Sequence, residues 1–356
     1  MLTYFPTPYP NELWYSILCR YYVRSGSAKQ LTIANELYGG RFVGHGSLFP
    51  GSSCAIVLGW LPAGLFSVED ILLKHTLMPY YLRMQSAETK RMYLQAVSAG
   101  RNISPKNTDP ECLDGRQGLK YCPECFMEDQ ARFGEPYWHR EHQIPLMPLC
   151  PVHRCRLVLV EHSWRDINRK FYPASELMDI ERPNTQAAPW EETLTELLRD
   201  FLELPFEAGP VAGYSNLSDV LITSGYSAKS YHGRLSVNGQ KLHKGCMERF
   251  NQQVIAKYFS KPYPSISHRI QSWMFSAPEI YALLSVLAGI SAAELFGPRM
   301  CDDSVRMAER RTETIGVLLT ASEWRAVEAA AARSGHPVSV FVRERLLSAI
   351  EYGRDI

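Results

Sequence analysis

The sequence predicts a mainly α, multidomain protein, and three observations carry that prediction. Apolar residues recur at helical spacing in segment after segment. The chain is 356 residues long, more than one small core needs, which points to two or three domains. Four metal-type side chains in two matched pairs mark a small stapled module between helical regions.

The helices follow in order. "PYPNELWYSILCRYYVRSG" predicts a helix entered after Pro10, with Leu13, Ile17, Leu18 and Tyr21 on one face and Gly26 beyond its end. "SVEDILLKHTLM" predicts a second, with Ser67 as its cap, Asp70 three residues on and Pro79 after its end. "AETKRMYLQAV" adds a third, and "FVGHGSLFPGSS" reads as turns. These make an N-terminal helical domain over 1–110.

A different pattern occupies 111–165. Cys122 and Cys125 form C-P-E-C, Cys150 and His153 form C-P-V-H, and Pro123 and Pro151 stiffen both turns at the same relative position. Ligands three apart on a tight turn converge on one tetrahedral ion. Two such turns complete a closed Cys3His set, the usual structural zinc arrangement. A redox C-x-x-C would not need the second matched turn. His139 and His142 between the pairs, and Cys112 and Cys155 on the flanks, are competing ligands of less regular spacing. Four protein ligands leave no open position, so Zn2+ here is expected to hold the fold together, with the aromatic run Tyr137, Trp138 and His139 packed around it.

After this module, "RDINRKFYPASELMDIERPNTQAAP" reads as a polar passage between domains. Helical patterns resume at "WEETLTELLRDFLEL", "LSDVLITSG", "GQKLHKGCMERFNQQVIAKYF" and "APEIYALLSVLAGISAAELFG". Joined by turns such as "TSGYSAKSYHG", they suit helix-turn-helix modules in a domain over 166–300. Lys229, His232, Arg234, Lys241 and Lys244 near that turn are candidate phosphate contacts, or else a solvated surface. A linker over 301–312 carries Arg310 and Arg311, two further candidate phosphate contacts. The segment 313–356 begins with alternation at Ile315, Val317 and Leu319, continues as an Ala-rich helix, and is divided by Gly335 and Pro337 from a second helix. Strand, helix, helix in this length resembles a ribbon-helix-helix unit. Thr314, Gly316 and Leu318 on its outward face carry no basic or amide group, which favours dimerisation or partner binding over base reading.

Composition narrows the function. At 46% hydrophobic and a net charge of +1 the chain is globular, and nucleic-acid binding has to come from local patches. No stretch reaches the roughly 18 apolar residues of a membrane helix, and "MLTYFPTPYP" lacks signal-peptide character, so a cytoplasmic protein is expected. Nine cysteines, with Cys19, Cys54, Cys246 and Cys301 isolated, fit a reducing compartment. There is no phosphate loop G-x-x-x-x-G-K-[ST], no H-E-x-x-H and no G-x-S-x-G, and an enzyme is not expected.

Several stretches together resemble the TniQ family of transposon target-selection proteins, including its TnsD branch: "FPTPYPNELWYSILCRY", "KHTLMPYY", and the ligand pairs with "GEPYWHREHQIP" between them. The likeness extends more loosely to about Gly297 and leaves the tail outside. The resemblance implies a non-catalytic adaptor. Such a protein recognises a target, either a DNA attachment site or an RNA-guided CRISPR effector, and recruits the transposon AAA+ ATPase, which engages the transposase. It also places Cys122, Cys125, Cys150 and His153 on the family's zinc-ligand motif. The other reading is a zinc-containing transcriptional regulator that binds operator DNA, with homodimerisation through the tail open in either case.

Overall fold

The computed structural model describes residues 2, 4–40, 53–62, 64–101, 103, 118–160, 169–177, 186–209, 220–222, 224–229, 235–259, 278–297, 319–334 and scattered positions to 348. The expected positions Cys112, His232, Arg234, Cys301, Arg310, Arg311, Thr314, Ile315, Gly316, Val317, Leu318, Gly335 and Pro337 lie outside the described residues. The protein is mainly helical, and it divides into two compact units, Met1–Asp302 and Asp303–Ile356.

Unit 1 begins with helices α1 (Trp14–Ser25), α2 (Gln30–Tyr38), α3 (Ser53–Leu58), α4 (Val68–Lys74), α5 (Met78–Tyr81) and α6 (Ala87–Ser98). On α1 the apolar face is buried as its spacing requires, and Gly26 closes the helix at φ 65°. The helix starts at Trp14, four residues after Pro10. Asn11 takes φ 53° and Glu12 pairs with His139 in a β-bridge, so this chain segment is committed elsewhere first. Ser67 caps α4 by accepting from the Asp70 amide at 3.3 Å, while the Asp70 carboxylate turns to Lys74 at 2.6 Å. The helix ends at Lys74, earlier than "SVEDILLKHTLM" suggested. Thr76 Oγ1 accepts from the Met78 amide at 3.0 Å and starts α5, in whose first turn Pro79 sits where no amide is needed.

Next come strand β1 (Lys120–Tyr121), helix α7 (Pro123–Phe133), a 3-10 turn at Glu141–Gln143 and strand β2 (Val158–Leu159). β1 and β2 pair antiparallel, Lys120 with Leu159 and Tyr121 with Val158. This pairing brings the two ends of the Cys/His segment together. The stretch read as a passage between domains is pinned along its middle. Tyr15 donates its hydroxyl to the Lys170 carbonyl and accepts from the Tyr172 amide, both at 2.8 Å, and Phe171 is fully buried. A short helix α8 (Ala174–Leu177) follows.

Helix α9 (Pro189–Glu203) buries Leu194, Leu197, Leu198, Phe201 and Leu202. Strands β3 (Ser227–Lys229) and β4 (Leu235–Val237) form an antiparallel ribbon, and helices α10 (Gly239–Arg249), α11 (Pro278–Ala288) and α12 (Ala292–Phe296) complete the unit. Two sequence expectations are corrected here. "TSGYSAKSYHG" is not a plain turn, because Ser227–Lys229 within it is a strand. The helical run through "GQKLHKGCMERFNQQVIAKYF" breaks at Phe250, where Asn251 accepts from the Val254 amide at 3.0 Å and starts a new turn that continues as π-helix over Ile255–Phe259. One continuous core takes in Trp14, Tyr80, Trp138, Phe201 and Leu283, from α1, α5, the Cys/His segment, α9 and α11.

Unit 2 contains the Ala-rich helix α13 (Ala321–Ser334). Thr320 and Glu323 box its start, the Thr320 amide donating to the Glu323 carboxylate at 2.7 Å and the Glu323 amide donating back to the Thr320 hydroxyl at 3.4 Å. Among the described residues no helix is long and apolar enough to cross a membrane.

Candidate metal centre

Cys122 is both the first residue after β1 and the N-cap of α7. Its sulfur accepts from the Cys125 amide at 3.4 Å, and Pro123 at the first helical position gives up no needed donor. The second pair is built on a hairpin. The Cys150 amide donates to the Cys155 carbonyl at 2.8 Å, the Arg154 amide to the Cys150 carbonyl at 2.9 Å, and Arg154 reverses the chain at φ 57°. There the His153 amide donates to the Cys150 sulfur at 3.4 Å, repeating the geometry of the first pair. Amides aimed at both sulfurs stabilise the thiolate form, the form that ligates.

Cys122, Cys125, Cys150 and His153 each bring a ligand atom to within 4.8 Å of all the others. Cys125 and Cys150 sulfurs are 3.7 Å apart, and His153 Nδ1 lies 3.5, 3.3 and 3.7 Å from the sulfurs of Cys122, Cys125 and Cys150. A tetrahedral zinc ion, with bonds of about 2.3 Å to sulfur and about 2.0 Å to nitrogen, has edges of roughly 3.8 and 3.5 Å. The donor set therefore fits a tetrahedral thiophilic ion, and it is closed. The three cysteines are buried. Packed this closely, the thiols divide their protons unequally: hydrogen bonds from Cys122 and Cys125 drive Cys150 down, while Cys125 and Cys150 drive Cys122 up. A dication among them removes that conflict.

The competing ligands separate clearly. Cys155 approaches Cys122 to 3.2 Å but is half-buried and falls outside the mutually close set of four. His142 stands behind the cluster, with Nε2 at 3.9 Å from the Cys125 sulfur. His139 Nε2 is held by Asp129 at 2.8 Å. Two supporting residues were not singled out from sequence. Glu128 holds His153 Nε2 at 3.0 Å, fixing Nδ1 as the ligating nitrogen, and Asp129 does the same for His139. Both lie one turn beyond Cys125 on α7, so helical spacing from the first pair was the available signal.

The aromatic run does more than surround the cluster. Trp138 is fully buried in the core shared with α1, the Leu13 amide donates to its carbonyl at 2.8 Å, and its own amide donates to Ser16 at 3.1 Å. Arg140 reaches further, donating from Nη1 to the Leu73 carbonyl at 2.6 Å and from Nε to Asn11 at 3.1 Å.

Of the candidate phosphate contacts, Lys229, Lys241 and Lys244 lie among the described residues. Lys229 ends β3, opposite Leu235. Lys241 sits in the first turn of α10, donates to the Ser224 carbonyl at 3.1 Å and lies 5.4 Å from the Tyr226 ring centre. Lys244 is one turn on and exposed, at 3.9 Å from Glu248.

A helical protein in which a Cys3His set brings a hairpin against a helix cap is the class that this geometry defines. Residues 3–157 match the family model described as TniQ. All four clustered ligands fall inside the matched residues. The chain is also similar to the curated protein described as "Transposon Tn7 transposition protein TnsD" from Escherichia coli, 30% identical over 173 residues. That alignment covers 47% of this chain and 34% of the relative, so the chain spans about a third of the length of the curated relative it matches.

Proposed function

We propose that this protein is a transposon target-selection adaptor, linking a target, either a DNA attachment site or an RNA-guided CRISPR effector, to the transposon AAA+ ATPase and through it to the transposase. The TniQ match over residues 3–157 carries this reading, and the likeness to a Tn7 transposition protein supports it. In this reading Cys122, Cys125, Cys150 and His153 hold Zn2+ as a structural ion, supported by their tetrahedral spacing and closed coordination. The ion fixes Trp138 and Arg140 against α1 and α4 and so presets the helical surfaces that partners meet. Lys229, Arg234, Lys241 and Lys244, with Arg310 and Arg311, are the proposed DNA contacts, positioning the duplex by phosphate attraction more than reading its bases. The second reading, a zinc-containing regulator, differs in predicting tight, salt-dependent and site-specific DNA binding by this chain alone.

Selection of a random-sequence DNA library on the zinc-loaded protein, with and without the neighbouring ATPase at near-physiological salt, separates them. Capture of the ATPase is the expected result, with or without one enriched DNA motif. One motif enriched by the protein alone, with no capture of the ATPase, would favour the regulator.

A further inference from the structure

Beside the four-ligand cluster lies a second set of donors that its closed coordination leaves unused. Among the described residues, Cys125, His139 and His142 also bring one ligand atom each to within 4.8 Å of one another. The 3-10 turn at Glu141–Gln143 sets the two imidazoles face to face, with ring centres 4.9 Å apart and planes 30° apart. His142 Nε2 is 3.9 Å from the Cys125 sulfur, close to a tetrahedral sulfur–nitrogen edge of roughly 3.5 Å. With Nε2 of His139 donating to Asp129 at 2.8 Å, its Nδ1 carries the lone pair, the tautomer a metal needs.

A further feature favours an ion at this place. His142 is 2% exposed, and its Nδ1 is buried with no hydrogen-bond partner. The nitrogen that faces the Cys125 sulfur is Nε2, and a metal bond there offsets the cost of burying the ring with Nδ1 unpartnered.

We infer that Cys125, His139 and His142 hold a second thiophilic dication, with the Cys125 thiolate bridging the two ions and Asp129 orienting His139. Imidazole and thiolate donors select zinc or a similar late first-row metal over magnesium or calcium. The inference rests on the proposed reading that Cys125 ligates the first ion. Three protein donors leave the fourth position to water, so this ion is the exchangeable one of the pair.

The test is metal content of the full-length protein by mass spectrometry after dialysis against buffered zinc, beside His139→Gln and His142→Gln. Glutamine keeps an amide N–H for the thiolates and is a poor zinc ligand. Close to two ions per wild-type chain and one in each variant is the expected result, with the cobalt-substituted variants keeping the sulfur-to-metal charge-transfer band of the first site. One ion in the wild type, two retained in both variants, or a variant that loses that band overturns the second site. No ion in the wild type would instead overturn the structural zinc on which it rests.

Discussion

Arg83 has no exposure to solvent, and its guanidinium donates to the carbonyls of Phe201, Leu204, Pro205 and Ala208 at 2.6–2.8 Å. Phe201 and Leu204 are among the last carbonyls of α9, where the helix dipole also favours a cation, and Pro205 and Ala208 lie just beyond its end. Arg83→Met leaves four carbonyls without that donor and is expected to destabilise unit 1 by about 3–5 kcal/mol, read from the urea midpoint. Arg83→Lys recovers only part of this, because an ammonium cannot span a fork. Lys90 lies alongside, donating to the Ala208 carbonyl at 2.5 Å. Burial, helped by Arg83, pulls its ammonium down to about 7, with Glu207 opposing. Between pH 7 and the ordinary lysine value of 10.5 the unfolded chain holds a proton that the folded chain has released. Stability therefore rises with pH across that window, and Lys90→Met should remove the rise. Urea midpoints of both proteins at pH 7 to 10 check it; parallel curves would sink the claim. Nothing in the sequence around Arg83 distinguishes it from a surface arginine. Its partners are over a hundred positions away, and their convergence is a product of packing. The four ligands were legible for the opposite reason, since each pair is a local turn whose chemistry is complete within four residues.

At the scale of elements, α9 depends on the hairpin of the Cys/His cluster. Arg156, one residue after Cys155, grips Glu191 in the first turn of α9 with two parallel bonds of 2.8 and 2.7 Å. Glu191 also accepts from the Ala188 amide at 2.8 Å and is buried. Removing the arginine leaves a buried carboxylate with one backbone partner. Arg156→Met is expected to cost about 1–3 kcal/mol, the partial exposure of Arg156 holding the figure below that of a fully buried pair. The double variant Arg156→Met with Glu191→Leu should recover most of the loss, and a double-mutant cycle with no coupling would refute the link. The helices of this region were readable from apolar spacing, while their ends were readable only where a cap was explicit. Ser291 and Glu294 form a reciprocal cap that starts α12 after Gly289 at φ 72°, and Asn251, by a one-sided cap on the Val254 amide, restarts the chain after α10. The β3–β4 ribbon escaped because three-residue strands are too short for alternation to register.

At the scale of the molecule, the consequence of metal loss depends on how the Cys/His segment is joined to the rest. A finger on a tether would open alone and leave the helices standing. Here β1 and β2 are two residues each, too short to hold without support, yet Trp138 lies in the core of α1 and Arg140 ties Asn11 to the end of α4. Sequence order hid this junction, because the bridge from Glu12 to His139 joins segments 127 positions apart through a backbone turn at Asn11 that no motif announces. With zinc held as proposed, its release removes the clamp on both pairs, and the shared core gives the disturbance a path into α1 and α4. We therefore expect chelation, or Cys125→Ser, to reduce hydrogen-exchange protection in Trp14–Ser25 and Val68–Lys74 along with that of Pro123–Phe133, in one cooperative step. Exchange confined to residues 118–160, with α1 and α4 as protected as before, would mean that the ion serves a separable module and that the junction carries no cooperativity. Equal loss across all three helices would make the metal a condition for folding of the N-terminal half of unit 1.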